Sequence, residues 1–106
     1  MLALGDATLS DTKAKEGLEW LKKAADQGDM GAQEALGTLY AAGKGVDRDT
    51  ATAVGWFAKA AAQGSLISQR RMGVAFFDGK GVDEDKNKGL AFMMKAAEGG
   101  DAFSQM

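Results

Sequence analysis

The pentapeptide GKGVD stands at Gly43–Asp47 and again at Gly79–Asp83. Glycine beside lysine is the composition of a phosphate-cradling loop, in which backbone N–H groups approach the anion and the ammonium neutralises it. In the stretch GVAFFDGKG, residues Gly73, Gly79 and Lys80 approximate the G-x-x-x-x-G-K-[ST] pattern. Five residues separate the two glycines where that pattern needs four, and Gly81 stands where the Mg²⁺-binding hydroxyl belongs. A helical pattern, not a strand, precedes the loop. The spacing argues against a nucleotide site. The segment DEDKN at Asp83–Asn87 opens like a calcium loop. Such a loop needs glycine at Lys88 and a bidentate carboxylate at Met94, so no metal site is expected there.

The chain has no cysteine and no histidine. Thiolate nucleophiles, sulfur-ligated metals, disulfides and the commonest general base are thereby removed. A carboxylate pair could still serve a hydrolase, but the acids fall at helix starts and on polar faces. No catalytic residue and no cofactor is expected. Thirteen basic residues are interspersed among fifteen acidic ones, for a formal net charge of −2, which disfavours nucleic acid as partner. No run of eighteen apolar residues occurs, so membrane insertion is not expected. MLALGDATLS lacks the charge and apolar run of a secretory leader. The compartment stays open.

The elements that carry these residues repeat. Trp20, Trp56 and Phe92 lie 36 residues apart, as do Lys23, Lys59 and Lys95, and Gly28, Gly64 and Gly100. KKAADQGD, AKAAAQGS and MKAAEGGD are three versions of one unit, and LGTLYAAGKGVDRD and MGVAFFDGKGVDED two versions of another. Ala14, Leu18, Leu21, Ala24 and Ala25 step by three and four along one helix face. Ala32, Leu36, Leu39 and Tyr40 do the same on a second helix. Glycine ends each helix, and Asp29, Asp49, Ser65, Asp85 and Asp101 are placed to cap the next. Helices ending near Gln27, Ala42, Gln63, Asp78 and Gly99 follow, with a sixth beginning at Asp101. The abundance of glycine (15 residues) and the absence of proline suit helices punctuated by turns. Each 36-residue period thus holds two helices. Neither can bury its apolar stripe alone, whereas stacked pairs can, so the expected fold is all-α: an αα-hairpin repeat solenoid with a right-handed superhelix.

EALGTLYAAGKGVDRDTATAVGWFAKAAAQG resembles the Sel-one-like repeat family, a relative of the tetratricopeptide repeats. The resemblance rests on Ala32 (Ser68 one period later), Leu36, Gly37, Tyr40, Gly43, Gly45, Val46, Asp49, Ala53, Trp56, Lys59, Ala60, Ala61 and Gly64. It covers nearly the whole chain. It departs at Leu4, Ala7, Leu9, Ser10 and Lys13, where Ser10, Asp11 or Thr12 is expected to take the capping role. The expected division is a partial repeat over 1–28, full repeats over 29–64 and 65–100, and the start of another over 101–106.

On this reading the glycine loop is a joint. Gly43 and Gly79 take left-handed backbone, Gly45 and Gly81 supply a second reversal, and Val46 and Val82 plug gaps between helix pairs. Trp20, Trp56 and Phe92 are expected in the core, and Gly37 and Gly73 against the Ala-Ala pairs. The methionines are expected as gap-fillers. The resemblance implies a non-catalytic adaptor for protein complexes, in bacteria. By similarity to tetratricopeptide geometry, its concave face carries Glu34, Thr38 and Ala41 on one helix and Ile67, Arg70, Val74 and Phe77 on the next. Phe77 beside Arg70 has the composition of an interface anchor, or else packs against the next repeat. The expected partner is a protein or peptide. A glycan or cell-wall ligand and a hydrolase are the alternatives. Leu2, Leu4, Phe103 and Met106 would lie at open ends, giving the expectation of a longer array or of end-to-end self-association.

Overall fold

The structure, a computed structural model, describes residues 15–99. The expectations for Leu2, Leu4, Ala7, Leu9, Ser10, Asp11, Thr12, Lys13, Ala14, Gly100, Asp101, Phe103 and Met106 lie outside the described residues. Within them the chain is helical over 15–26 (α1), Met30–Ala42 (α2), Thr50–Ala62 (α3), Leu66–Asp78 (α4) and Lys86–Glu98 (α5), and no strand occurs among the described residues. Helix α2 packs on α3, α3 on α4 and α4 on α5. The envelope of 54 × 25 × 23 Å is that of helices stacked in a row rather than gathered into one bundle.

The sequence period is a conformational period. The N-caps Asp29 and Ser65 share extended backbone, with φ −67 and −63°. Asp49 and Asp85 share a more open cap, with φ −147 and −150°. Each cap side chain accepts a backbone N–H of the first turn, satisfying one of the donors a helix start leaves unpaired. At the helix ends, the N–H groups of Asp29, Lys44, Ser65 and Lys80 donate five residues back to the carbonyls of Ala24, Leu39, Ala60 and Ala75. That closure needs a left-handed residue just before it. Gly43 and Gly79, at φ 71 and 70°, supply it without the steric penalty of a Cβ. The long loops then return: Asp49 N–H reaches Tyr40 O at 2.9 Å, and Asp85 N–H reaches Phe76 O at 2.7 Å. GKGVD is therefore a joint, as its spacing predicts.

Two clusters form the core. Ala25, Leu18 and Leu21 of α1 meet Ala32 and Leu36 of α2, with Tyr40 and Trp56 at the margin. Ala53, Phe57 and Ala61 of α3 meet Met72 of α4, flanked by Tyr40, Phe76 and Phe92. Phe76 and Phe92 stack with centroids 5.8 Å apart. The expectation for the aromatic series holds only in part. Trp56 and Phe92 are half-buried, but Trp20 is 72% exposed. Trp56 packs against the Ala25, Ala32 and Leu36 cluster of the two helices that precede it, α1 and α2. The mid-helix glycines also differ from expectation. A Cβ at Gly37 would lie 2.7 Å from the Phe57 ring, and one at Gly73 2.6 Å from Met93 Cγ. The close partners are thus Phe57 and Met93, themselves 36 apart, and not the Ala-Ala pairs. Met72 fills the core at 5% exposure, whereas Met94 is 64% exposed and fills no gap.

The neighbouring helices are also stitched by glutamine. Gln33, 4% exposed, donates from Nε2 to Ala25 O at 3.1 Å, and Gln69, 3% exposed, donates to Ala61 O at 3.3 Å. Both bonds link the start of one helix to the end of the helix before it, one period apart.

Candidate binding groove

The period places two equivalent grooves on the described surface. The first runs between α1 and the end of α2, lined by Gly17, Leu18, Leu21, Leu39, Lys44 and Gly45. The second runs between α3 and α4, where Ala53, Val54, Phe57, Ala75 and Lys80 occupy the corresponding positions.

The second groove, of about 330 Å³, differs in charge. Arg48, Arg70 and Arg71 join Lys80 in its lining, and no acidic residue among the described ones lines it. One period earlier the arginine positions hold Thr12, Glu34 and Ala35. The apolar floor consists of Val54, Phe57 and Val74, with Ala41 at one edge. The guanidinium of Arg71 lies 5.6 Å from the centre of the Phe57 ring, a cation–π arrangement that steadies it over the floor. The acids that flank Arg48 in the chain do not enter the groove. Asp49 accepts Thr52 N–H at 3.1 Å and the Thr52 hydroxyl at 2.7 Å. Those bonds hold its carboxyl below its ordinary value, the Thr52 hydroxyl contributing most.

The seven residues expected on the concave face divide. Ala41, Arg70 and Val74 come together around this groove. Glu34 does not join them: its carboxylate accepts the hydroxyl of Ser65, the N-cap of α4, and so ties neighbouring first helices. The Thr38 hydroxyl donates to Glu34 O within its own helix, at 3.0 Å. Ile67 is 51% exposed on the first turn of α4, outside the groove. Phe77 is half-buried, with Lys86 Nζ 5.3 Å from its ring centre. A Cβ added at Gly89 would lie 3.0 Å from Phe77 Cβ, so Phe77 abuts the second helix of its own pair.

Sequence reasoning passed over Thr50, Val54 and Ala75 in the lining, and also Phe57, Arg48 and Arg71. Phe57 has apolar counterparts at Leu21 and Met93, a series as regular as the tryptophans and equally readable. Arg48 and Arg71 break the period, and a search for recurrence passes over what does not recur.

Against known proteins, the family profile described as Sel1 repeat matches residues 2–29, 31–65 and 66–101. No curated protein matches the chain. Among solved structures, a protective antigen of uropathogenic Escherichia coli strains displaying an SLR fold superposes with a TM-score of 0.84 and 37% identity, over 87% of this chain and 20% of that one. A Sel1 repeat protein from Oxalobacter formigenes gives a TM-score of 0.80 and 40% identity, over 82% of this chain and 25% of that one. Cysteine-rich protein B of Helicobacter pylori shares the fold at a TM-score of 0.81 and 23% identity, over 86% of this chain and 68% of that one. The chain thus spans a fifth to a quarter of the length of the first two.

Proposed function

The chain belongs to the Sel1-repeat family, and from that premise we propose that it is a non-catalytic scaffold binding a protein or peptide across the first helices of successive hairpins. Glu34, Thr38, Ala41, Ile67, Arg70, Val74 and Phe77 form the proposed face. One observation carries the reading: Ala41 of one hairpin and Arg70 and Val74 of the next line a single groove. A side chain set in that groove touches two repeats at once, which is how a solenoid turns weak contacts along its length into one binding surface. Arginine over an apolar floor suits an interface anchor, because its planar fork binds carboxylates and carbonyls while its stem packs.

The test is affinity capture from extracts of the source organism on immobilised wild-type protein and on Arg70→Glu and Val74→Asp variants of unchanged circular dichroism. Proteins held by the wild type are expected to be lost from both variants. Partners retained equally by all three would refute the assignment of the face. A glycan-binding alternative draws on the exposed Trp20, since a bare indole is a sugar platform. Its signature is quenching or shift of tryptophan emission by oligosaccharides, lost in Trp20→Ala.

A further inference from the structure

We infer that the groove between α3 and α4 takes an acidic segment of the partner, with an apolar side chain seated between the acids. The inference rests on the scaffold reading above and adds the chemistry of what is bound. Three observations carry it. Arg48, Arg71 and Lys80 converge on a groove that no acid among the described residues lines, in a chain whose net charge is −2. The cluster is not demanded by the fold. Among the described residues, the lining of the equivalent groove between α1 and α2 carries one cation, Lys44. Crowding like charges opposes the compact state, so their placement points outward, to a ligand whose charge neutralises them. Finally, the floor is Val54, Val74 and the nearly buried Phe57, with Arg71 over that ring. A floor of this kind accepts an aliphatic or aromatic side chain. It offers no exposed ring on which bases could stack, which favours an acidic peptide over a nucleic acid strand.

The experiment is selection of random 12-residue peptides displayed on phage against the immobilised whole chain. Fluorescence polarisation of the winners, and of a labelled single-stranded oligonucleotide, follows. Winners rich in Asp and Glu around a Leu, Phe or Trp are expected. Their affinity should fall about tenfold in Arg48→Glu and again in Arg71→Glu, and should weaken with added salt. Arg71→Gln, which removes the charge without reversing it, should show a smaller loss in the same direction. Lys59→Glu, a reversal outside the groove, should change nothing. Neutral or basic winners, or acidic winners indifferent to Arg48 and Arg71, overturn the inference and leave the scaffold reading standing. The same holds if the oligonucleotide binds in competition with the peptides. A selection with no winners at all overturns both.

Discussion

Replacing Gly37 by alanine sets two known quantities against each other. Alanine in a helix interior is favoured over glycine by about 1 kcal/mol. The added methyl, however, would lie 2.7, 2.8 and 2.8 Å from three carbons of the Phe57 ring, well inside ordinary contact. Phe57 is itself 5% exposed and wedged among Ala53, Ala61 and Met72, so the ring has little room to yield. Overpacking of this kind costs about 1–3 kcal/mol, which leaves Gly37→Ala neutral to about 2 kcal/mol destabilising. Because the obstacle is one side chain, Phe57→Leu should relieve it. A double-mutant cycle by urea unfolding, read at 222 nm, should give a favourable coupling of about 1–2 kcal/mol. Gly73 provides the contrast. Its added methyl would meet Met93 Cγ at 2.6 Å, but also Gly89 O at 2.9 Å and Met93 N at 3.3 Å. Backbone cannot be trimmed, so Met93→Ala should leave most of the Gly73→Ala penalty in place. The reasoning fails if Gly37→Ala is stabilising by the full helix-propensity gain, or if the Gly73 pair couples as strongly as the Gly37 pair.

Other measurements follow from single atoms. Ser68 is fully buried and its hydroxyl has no hydrogen-bond partner, while Ala32 fills the same position one period earlier. Ser68→Ala should therefore stabilise by about 1 kcal/mol, and a lower midpoint in urea would contradict the packing. Gln33 Oε1 accepts Gln63 Nε2 at 2.8 Å, whereas Gln69 Oε1 is an orphan because Gly99 stands where Gln63 does. Gln63→Ala should create the same orphan at Gln33 and cost about 1 kcal/mol, a loss that would vanish in a Gln33→Leu background. The Asp49 carboxyl is held below its ordinary value in the folded chain, so its contribution is present above that value and disappears as pH falls through the folded one. Thermal melts of Asp49→Asn should lose less midpoint than wild type on acidification below about pH 4, and parallel profiles would show the Thr52 bonds to be inconsequential.

The fold was legible because the chain states it more than once. Recurrence of Gly43 and Gly79, of Asp49 and Asp85, and of the alanine runs turned weak local signals into a joint constraint, and the dihedrals repeat to within a few degrees. Legibility failed where a residue's surroundings depend on what stacks beside its repeat. Trp20 and Trp56 carry the same local code, yet Trp20 is bare and Trp56 is half-covered by α1 and α2. Glu34 shows the same limit. Its helical position puts it on the expected binding face, but Ser65, thirty-one residues away, takes its carboxylate. Gln33 and Gln69 recur visibly, but their long-range bonds to Ala25 O and Ala61 O are not a property of spacing along one helix.

A solenoid separates two kinds of information that most folds mix. Positions at which the copies agree are occupied by what the stacking requires: Leu36 and Met72 in the core, Gly43 and Gly79 at the turns, Gln33 and Gln69 between helices. Positions at which they disagree are not fixed by the repeat, since the same backbone forms with either residue, although a residue there can still make a contact of its own, as Glu34 does with Ser65. Glu34 against Arg70 and Ala35 against Arg71 are such disagreements, and both arginines line the same groove. The GKGVD loop belongs to both classes. Its glycines turn the chain in each copy, and its lysines, Lys44 and Lys80, line the two grooves that the turns leave open. The basic character that first suggested a phosphate loop therefore acts, on the reading argued above, one level up: glycine sets the geometry of the groove and the neighbouring arginines decide what charge it receives.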